Sequence, residues 1–318
     1  MICFAMVIFA AGLFLLKSWE TEHFRVEPVE QDVVITTDHR PPIQYKGTTY
    51  LPRADVRSYL FMGIDKDGPA ENVSISAGGG QADFLLLLVV DDQAKTQQML
   101  LLNRDTVTRV PVLGMMGTVV GYEYQQLALA HFYGDGRHKS CVNVVDAVSY
   151  LLGNQPISGY ASLYMDGMTV LNDAVGGVTV TIEDDFTGVD DTLVLGGNVT
   201  LHGVQAEHFL RSRMSMKDDP TNLARMDRQR HFLQALSEKL ARQSQQQFIR
   251  TYDAVTPYLV TNLGSGEWQS LAKTLQEYAA QPICQLTGHT GIVGGTTAFY
   301  ADEDNLIETI IRLFYRPA

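Results

Sequence analysis

Phe84 to Val90 is a run of seven apolar residues with no polar interruption. It is too short for a membrane span, and acidic residues bound it on both sides at Asp83 and Asp91-Asp92. A run of this length reads as a strand buried on both faces, because an alternating pattern would appear if one face met water. Such a strand needs layers above and below it, so the chain is expected to be α/β. Tyr59-Leu60-Phe61-Met62-Gly63-Ile64 is a second apolar run, ending at Asp65, and Met99 to Leu102 is a third, ending in Asn103-Arg104-Asp105. A hairpin folded about Gln93 places residues whose numbers sum to about 186–187 opposite one another. Asp83 then faces Asn103 or Arg104, and Asp65 ends at the same edge.

The rest of the chain supplies covering layers. Val142 to Leu152 reads as a helix stopped by Gly153, and Asp166 to Val175 as another closed by Gly176-Gly177 in a C-cap position. Val178 to Ile182 alternates as a strand, Val255 to Ala279 reads as helical around a Gly264-Ser265-Gly266 break, and Glu303 to Phe314 is an amphipathic terminal helix. Gly78-Gly79-Gly80 reads as flexible chain and not a phosphate-cradling loop, since no Gly-Lys-Ser/Thr follows. Asp184-Asp185 and Asp190-Asp191 lie in turn-rich sequence and read as turn residues, not metal ligands. Nothing marks a linker between Tyr59 and Ala318, so residues 57–318 are expected to form one domain. Cys3, Cys141 and Cys284 have no metal-ligand spacing. A Cys141–Cys284 disulfide is open, but two small buried thiols are the commoner case.

Residues 1–19 are expected to be a membrane anchor. Met1 to Leu16 is uncharged and almost wholly apolar, and Lys17 and Trp19 suit the interface that follows. A cleaved signal peptide needs a basic stretch before the apolar run and a small-residue cleavage site after it, and neither is visible. Residues 20–56 then read as a stalk or lead-in hairpin, with the bulk of the chain extracytoplasmic and the N-terminus inside the cell membrane.

The charge is strongly asymmetric. The chain carries a formal charge of -12, yet Arg211, Arg213, Arg225, Arg228 and Arg230 fall within twenty residues. Guanidinium stays charged and presents a planar fork of donors matched to phosphate oxygens, so the cluster suggests a phosphate or pyrophosphate site. The acidic whole argues against nucleic acid, which needs broad basic surface. Asp219-Pro220 is a good helix start. Leu233, Leu236 and Leu240 form that helix's core-facing stripe, and running it backward reaches Gln229 and Arg225. Both therefore project on the buried side, near a helix N-terminus that favours anions. Arg228 and Arg230 fall off the stripe and are expected at the surface. A helix from Gly203 to Leu210 giving way to extended chain aims Arg211 and Arg213 into one pocket; the structural alternative pairs them with Asp218 and Asp219.

The order of these pieces resembles the LytR-CpsA-Psr family of bacterial envelope proteins. The matching segments are the anchor, Phe61-Met62-Gly63-Ile64-Asp65, Gln81-Ala82-Asp83-Phe84, Asn103-Arg104-Asp105-Thr106 and Val175-Gly176-Gly177-Val178. Leu201-His202-Gly203, Arg211-Ser212-Arg213 and Arg225-Met226-Asp227-Arg228-Gln229 follow in order. The resemblance implies a mixed central β-sheet flanked by helices, an α/β/α sandwich, with an apolar pocket for a polyprenyl chain beside a pyrophosphate site. It implies a phosphotransferase moving a glycopolymer (teichoic acid, capsular polysaccharide or another secreted glycan) from a polyprenyl-pyrophosphate carrier onto a peptidoglycan hydroxyl, with Mg²⁺. By the same resemblance Asp65 and Asp83 hold the metal, Arg104, Arg211, Arg213, Arg225 and Gln229 bind the pyrophosphate, and Arg104, Asp105, Arg211 and Arg213 take part in catalysis. One departure is Asn222, where the family often has an acidic residue three positions before the arginine of its arginine–glutamine helix. A polyprenyl-pyrophosphate hydrolase and a non-catalytic polyprenyl-phosphate-binding envelope protein are the alternative readings.

Overall fold

A computed structural model of the chain describes residues 40–73, 78–114, 117–212 and 223–318. The expected anchor lies outside the described residues, as do Arg213, Asp218, Asp219 and Asn222. Among the described residues no helix is long and apolar enough to cross a membrane.

The chain opens with a hairpin of β1 (Ile43–Tyr45) and β2 (Thr48–Pro52), followed by β3 (Val56–Asp65), β4 (Gln81–Asp91) and β5 (Thr96–Leu102). A second hairpin, β6 (Val107–Leu113) and β7 (Val119–Gln126), leads into α1 (Leu129–Phe132) and α2 (His138–Leu151). Next come β8 (Gly159–Tyr164), α3 (Met165–Ala174), β9 (Val178–Thr181), β10 (Asn198–Leu201) and α4 (Val204–Arg211). The long α5 (Leu223–Ala241) precedes α6 (Gln245–Val255), β11 (Leu259–Thr261) and α7 (Ser265–Glu277). The chain finishes with β12 (Ala279–Ala280), β13 (Cys284–Gln285), β14 (Gly288–Val293), β15 (Thr296–Ala301), α8 (Glu303–Phe314) and β16 (Tyr315–Pro317).

The main sheet runs β11-β8-β3-β4-β5-β12, with β13 also on β5. It is mixed: β8 lies parallel to β3, while β3–β4 and β4–β5 are antiparallel. The opening apolar run sits at its centre, and the reason it has no polar positions is visible in the packing. Leu85, Leu87 and Val89 face one core with Val144 and Val148 of α2 and Ile310 and Phe314 of α8. Leu86, Leu88 and Val90 face the other, with Met226 of α5 and Trp268, Leu271 and Leu275 of α7. Leu85 pairs with Leu102, which is the register expected from folding about Gln93. A third core lies beside the sheet, where β9 and β10 pack Val178, Val180 and Leu201 against Phe209, Phe232 and Leu236.

Three expectations need correction. Val255 to Ala279 is not one helix, since Thr256–Tyr258 tightens into a 3₁₀ turn and Leu259–Thr261 pairs with β8 before α7 begins. Pro257 disfavours continued helix, and the β-branched pair that follows suits a sheet edge. Cys141 and Cys284 are free thiols as expected, but Cys284 is half-buried and not buried like Cys141. Gly78-Gly79-Gly80 is packed chain, not a loose loop. Gly79 donates to Phe132 O at 2.9 Å, and a Cβ there would meet His131 O and Ser140 Oγ at 2.8 Å.

Candidate functional site

The site begins with a defect in the central ladder. Gly63 pairs with Phe84 and Ile64 with Ala82, so Asp83 is a bulged residue with no partner on β3. A bulge re-aims the side chain it carries. Here the Asp83 carboxylate turns toward Arg104, which donates Nη1 to it and Nη2 to Gln81 Oε1. Arg104 is held by the turn after β5. Asn103 Oδ1 accepts from Asp105 N at 2.9 Å, an Asx turn, and Thr106 Oγ1 donates to Asn103 O at 2.6 Å. Asp105 itself is buried, 3.4 Å from Arg104 Nε, and accepts from Gln126 Nε2 at 3.1 Å.

Arg225 reaches the same carboxylate from α5, with Nη1 3.2 Å from Asp83 Oδ2. Arg225 and Gln229 are both buried, as their place on the leucine stripe required, and Gln229 Nε2 donates to Leu210 O at 3.5 Å. Arg211 is the last residue of α4 and so does not lie in extended chain as expected. It reaches the site from the helix end, donating to Asp65 and, at 2.7 Å, to Glu207 one turn back. Asp67 stands 3.7 Å away. Asp83, Asp65, Arg104, Arg211, Arg225 and Gln229 thus come together from β3, β4, the β5 turn, α4 and α5.

Arg228 overturns its surface assignment. It is 4% exposed, donates Nε to Phe209 O at 3.0 Å, and also donates to Ser212 O and to Asp184. Its guanidinium lies 5.6 Å from the Phe186 ring centroid. α5 is covered on two sides, by the sheet and by α4 with β9, so a residue off the leucine stripe still points inward. Asp184 is accordingly an ion-pair partner and not a bare turn residue. Asp190 accepts from His208 Nδ1 at 2.9 Å. Arg230 pairs with Asp227 on the helix surface at 2.8 Å, as expected. Gln81, Asp67 and Glu207 were missed. Glu207 precedes Arg211 by four helical positions, which is a readable signal.

Beside this ionic cluster lies a cleft of about 1070 Å³, its open mouth included. Its walls are Phe61, Met62 and Phe84 of the sheet, Met165, Met168 and Leu171 of α3, Phe232, Leu233, Leu236 and Leu240 of α5, and Trp268 of α7. Asp83, Ser162 and Gln229 are the polar side chains along it apart from the Trp268 indole. Asp83 therefore belongs to both regions, lining the apolar cleft and accepting from two arginines.

The carboxylates also bear on a metal. Burial raises the Asp65 pKa above the usual carboxylate range, and the neighbouring Asp83 charge raises it further, against the pull of Arg211 and Arg104. A bound cation would favour the charged carboxylate and so would oppose both effects. The described residues hold no group of three or more acidic, histidine or cysteine side chains of metal-site form. Two hard carboxylates fit Mg²⁺, which keeps waters and substrate phosphates for its remaining positions, and fit zinc poorly.

The chain is similar to known proteins over most of its length. The LytR_cpsA_psr family matches residues 32–313. Polyisoprenyl-teichoic acid–peptidoglycan teichoic acid transferase TagU of Enterococcus faecalis is 29% identical over 232 residues, 71% of this chain and 68% of that protein. The TagU of Bacillus subtilis is 28% identical over 262 residues, 80% of this chain and 76% of that protein. The crystal structure of B. subtilis TagV superposes with a TM-score of 0.59 at 24% identity, covering 82% of this chain and 96% of that one, a likeness of fold. With its family matched over nearly its whole length, the chain belongs to the LytR-CpsA-Psr family.

Proposed function

We propose that the protein transfers a glycopolymer from a polyprenyl-pyrophosphate carrier to a hydroxyl of peptidoglycan, outside the cytoplasm and anchored by its N-terminal apolar segment. The observation that carries this reading is the double membership of Asp83. An amphiphile with a long apolar tail and a pyrophosphate head needs an apolar cleft ending in cations, and Asp83 sits where the two meet, in contact with Arg104 and Arg225. The names of the TagU relatives support the same class of donor and acceptor.

In the transfer the acceptor oxygen bonds to the sugar-side phosphorus and the bond from that phosphorus to the bridging oxygen breaks. Polyprenyl phosphate leaves, and the acceptor's proton is released to solvent. Charge accumulates on non-bridging oxygens, so fixed donors aimed at them lower the barrier. Arg104, oriented by the Asn103 turn and by Asp105, and Arg211, fixed at the end of α4, are those donors; Arg225 and Gln229 hold the head at the cleft end, and Arg213 is assigned to the same group from the sequence. Mg²⁺, when bound, would be held by Asp65 and Asp83 and would supply further positive charge to the pyrophosphate.

The test is transfer from a purified lipid-linked teichoic acid precursor to peptidoglycan by the full chain. Arg104→Ala is expected to lower turnover by about 100-fold or more, the effect of removing one transition-state donor. Undiminished transfer by Arg104→Ala, or sugar phosphate released without attachment to peptidoglycan, contradicts the reading.

A further inference from the structure

The second hairpin carries a feature that the transfer site does not use. Along one face of β7 lie Tyr122, Tyr124 and Gln126, since alternate residues of a strand share a face. In place of the charges expected on an outward strand of an acidic protein, this face presents aromatic rings: Tyr122 is 45% exposed and Tyr124 62%. The rings are not loose. The Arg109 guanidinium, from the facing strand β6, lies 4.0 Å from the ring centroids of both Tyr122 and Tyr150 of α2. Tyr124 and Tyr150 share a hydrogen bond between their hydroxyls at 2.8 Å. The charge of Arg109 is thus spent beneath the platform, holding the rings in place with cation–π contacts.

The face leads to the site. Gln126, at its inner end, donates to Asp105, the carboxylate beside Arg104, and to Thr297 O of β15. At about 3.4 Å per residue, Tyr122 stands roughly 14 Å along the strand from Gln126, the length of a few linked pyranose rings. Rigid rings with a polar rim suit a ligand that has both C–H faces and hydroxyls. For an anionic polymer the described strands β6 and β7 offer Arg109, already packed against two rings, and the exposed acid Glu123.

We infer that Tyr122, Tyr124 and Tyr150, pinned by Arg109, form a stacking platform for a neutral glycan strand, the acceptor's sugar backbone, guiding it toward Arg104. The acceptor's identity rests on the transfer reading; the stacking of a pyranose chain does not. The test uses the full chain and a soluble probe, the β-1,4-linked tetrasaccharide of N-acetylglucosamine, titrated by calorimetry or by NMR. The double variant Tyr122→Ala/Tyr124→Ala is expected to bind it at least tenfold more weakly, and the single variant Tyr124→Ala to fall between it and the parent. Val194→Ser, at an exposed site elsewhere, keeps the parent affinity. Circular dichroism checks that the folds match, and the single variant at the most exposed ring keeps the test valid if the double variant does not fold. No transfer step enters the readout, so an inactive enzyme leaves it intact. Three results would overturn the platform: no binding of the tetrasaccharide by the parent, equal binding by the variants, or a loss confined to adsorption on phosphatidylglycerol vesicles. Tighter dependence of the lipid-linked donor than of the tetrasaccharide on Tyr124 would move the platform to the donor and overturn the acceptor assignment.

Discussion

Replacing Arg228 with methionine separates a buried structural arginine from a surface one. The side chain is 4% exposed and serves three acceptors: Phe209 O, Ser212 O and the Asp184 carboxylate. Methionine keeps most of the volume and removes every donor. Asp184 is about a quarter exposed and regains water, so the main cost falls on the two carbonyls at the end of α4. A buried acceptor left without a donor costs about 1–3 kcal/mol, and the three lost bonds together point to about 3 kcal/mol. Guanidinium denaturation followed by circular dichroism measures the loss directly, and the thermal midpoint should fall by about 5–10 °C. The same change at Arg230, whose partner is the surface Asp227, should stay within about 0.5 kcal/mol. Equal losses in the two variants would refute the buried clamp.

Further outcomes follow from the packing around the site. Burial pushes the His131 imidazole down to about 4, with Nδ1 donating to Gly80 O at 3.1 Å. The unfolded chain takes up that proton near pH 6.5 and the folded chain only near 4. Stability is therefore full above pH 6.5 and declines by up to about 3 kcal/mol as pH falls to 4, and His131→Gln should flatten that slope in denaturation curves taken across the window. Gly79→Ala forces a Cβ to within 2.8 Å of His131 O and should cost about 1–3 kcal/mol by chemical denaturation, whereas Gly266→Ala, with open space around it near the start of α7, should be neutral or slightly stabilising. Burial pushes the Cys141 thiol up to about 12, so in the native protein Cys141 should resist alkylation by iodoacetamide while half-buried Cys284 reacts first, as peptide mapping would read.

What could be read without coordinates was whatever a single period or a single turn controls. The β4–β5 register follows from the Gln93 turn, and it brings Asp83 to Arg104. The leucine stripe of α5 carries Arg225 and Gln229 inward by spacing alone. Arg228 escaped because a one-sided stripe assumes one neighbour, and its partners lie 16 to 44 residues away on a second layer that no local pattern announces. The bulge that frees Asp83 is set by pairing on both sides of β4, and the packed glycines 78–80 owe their order to α1 and α2, which the triple glycine does not disclose. The break before α7 has a local signal in Pro257 and the Leu259–Thr261 run, which outweighs the helical periodicity on either side.

In the proposed transfer the apolar cleft takes the carrier's tail, with its head at Asp83 and Arg104. Photocrosslinking of the full chain with a benzophenone-bearing polyprenyl pyrophosphate, followed by peptide mapping, tests it directly. Label is expected on cleft residues of α5, such as Phe232 and Leu236, with a marked loss of label in Arg104→Ala. Label confined to outer surfaces, or unaffected by that substitution, would contradict it.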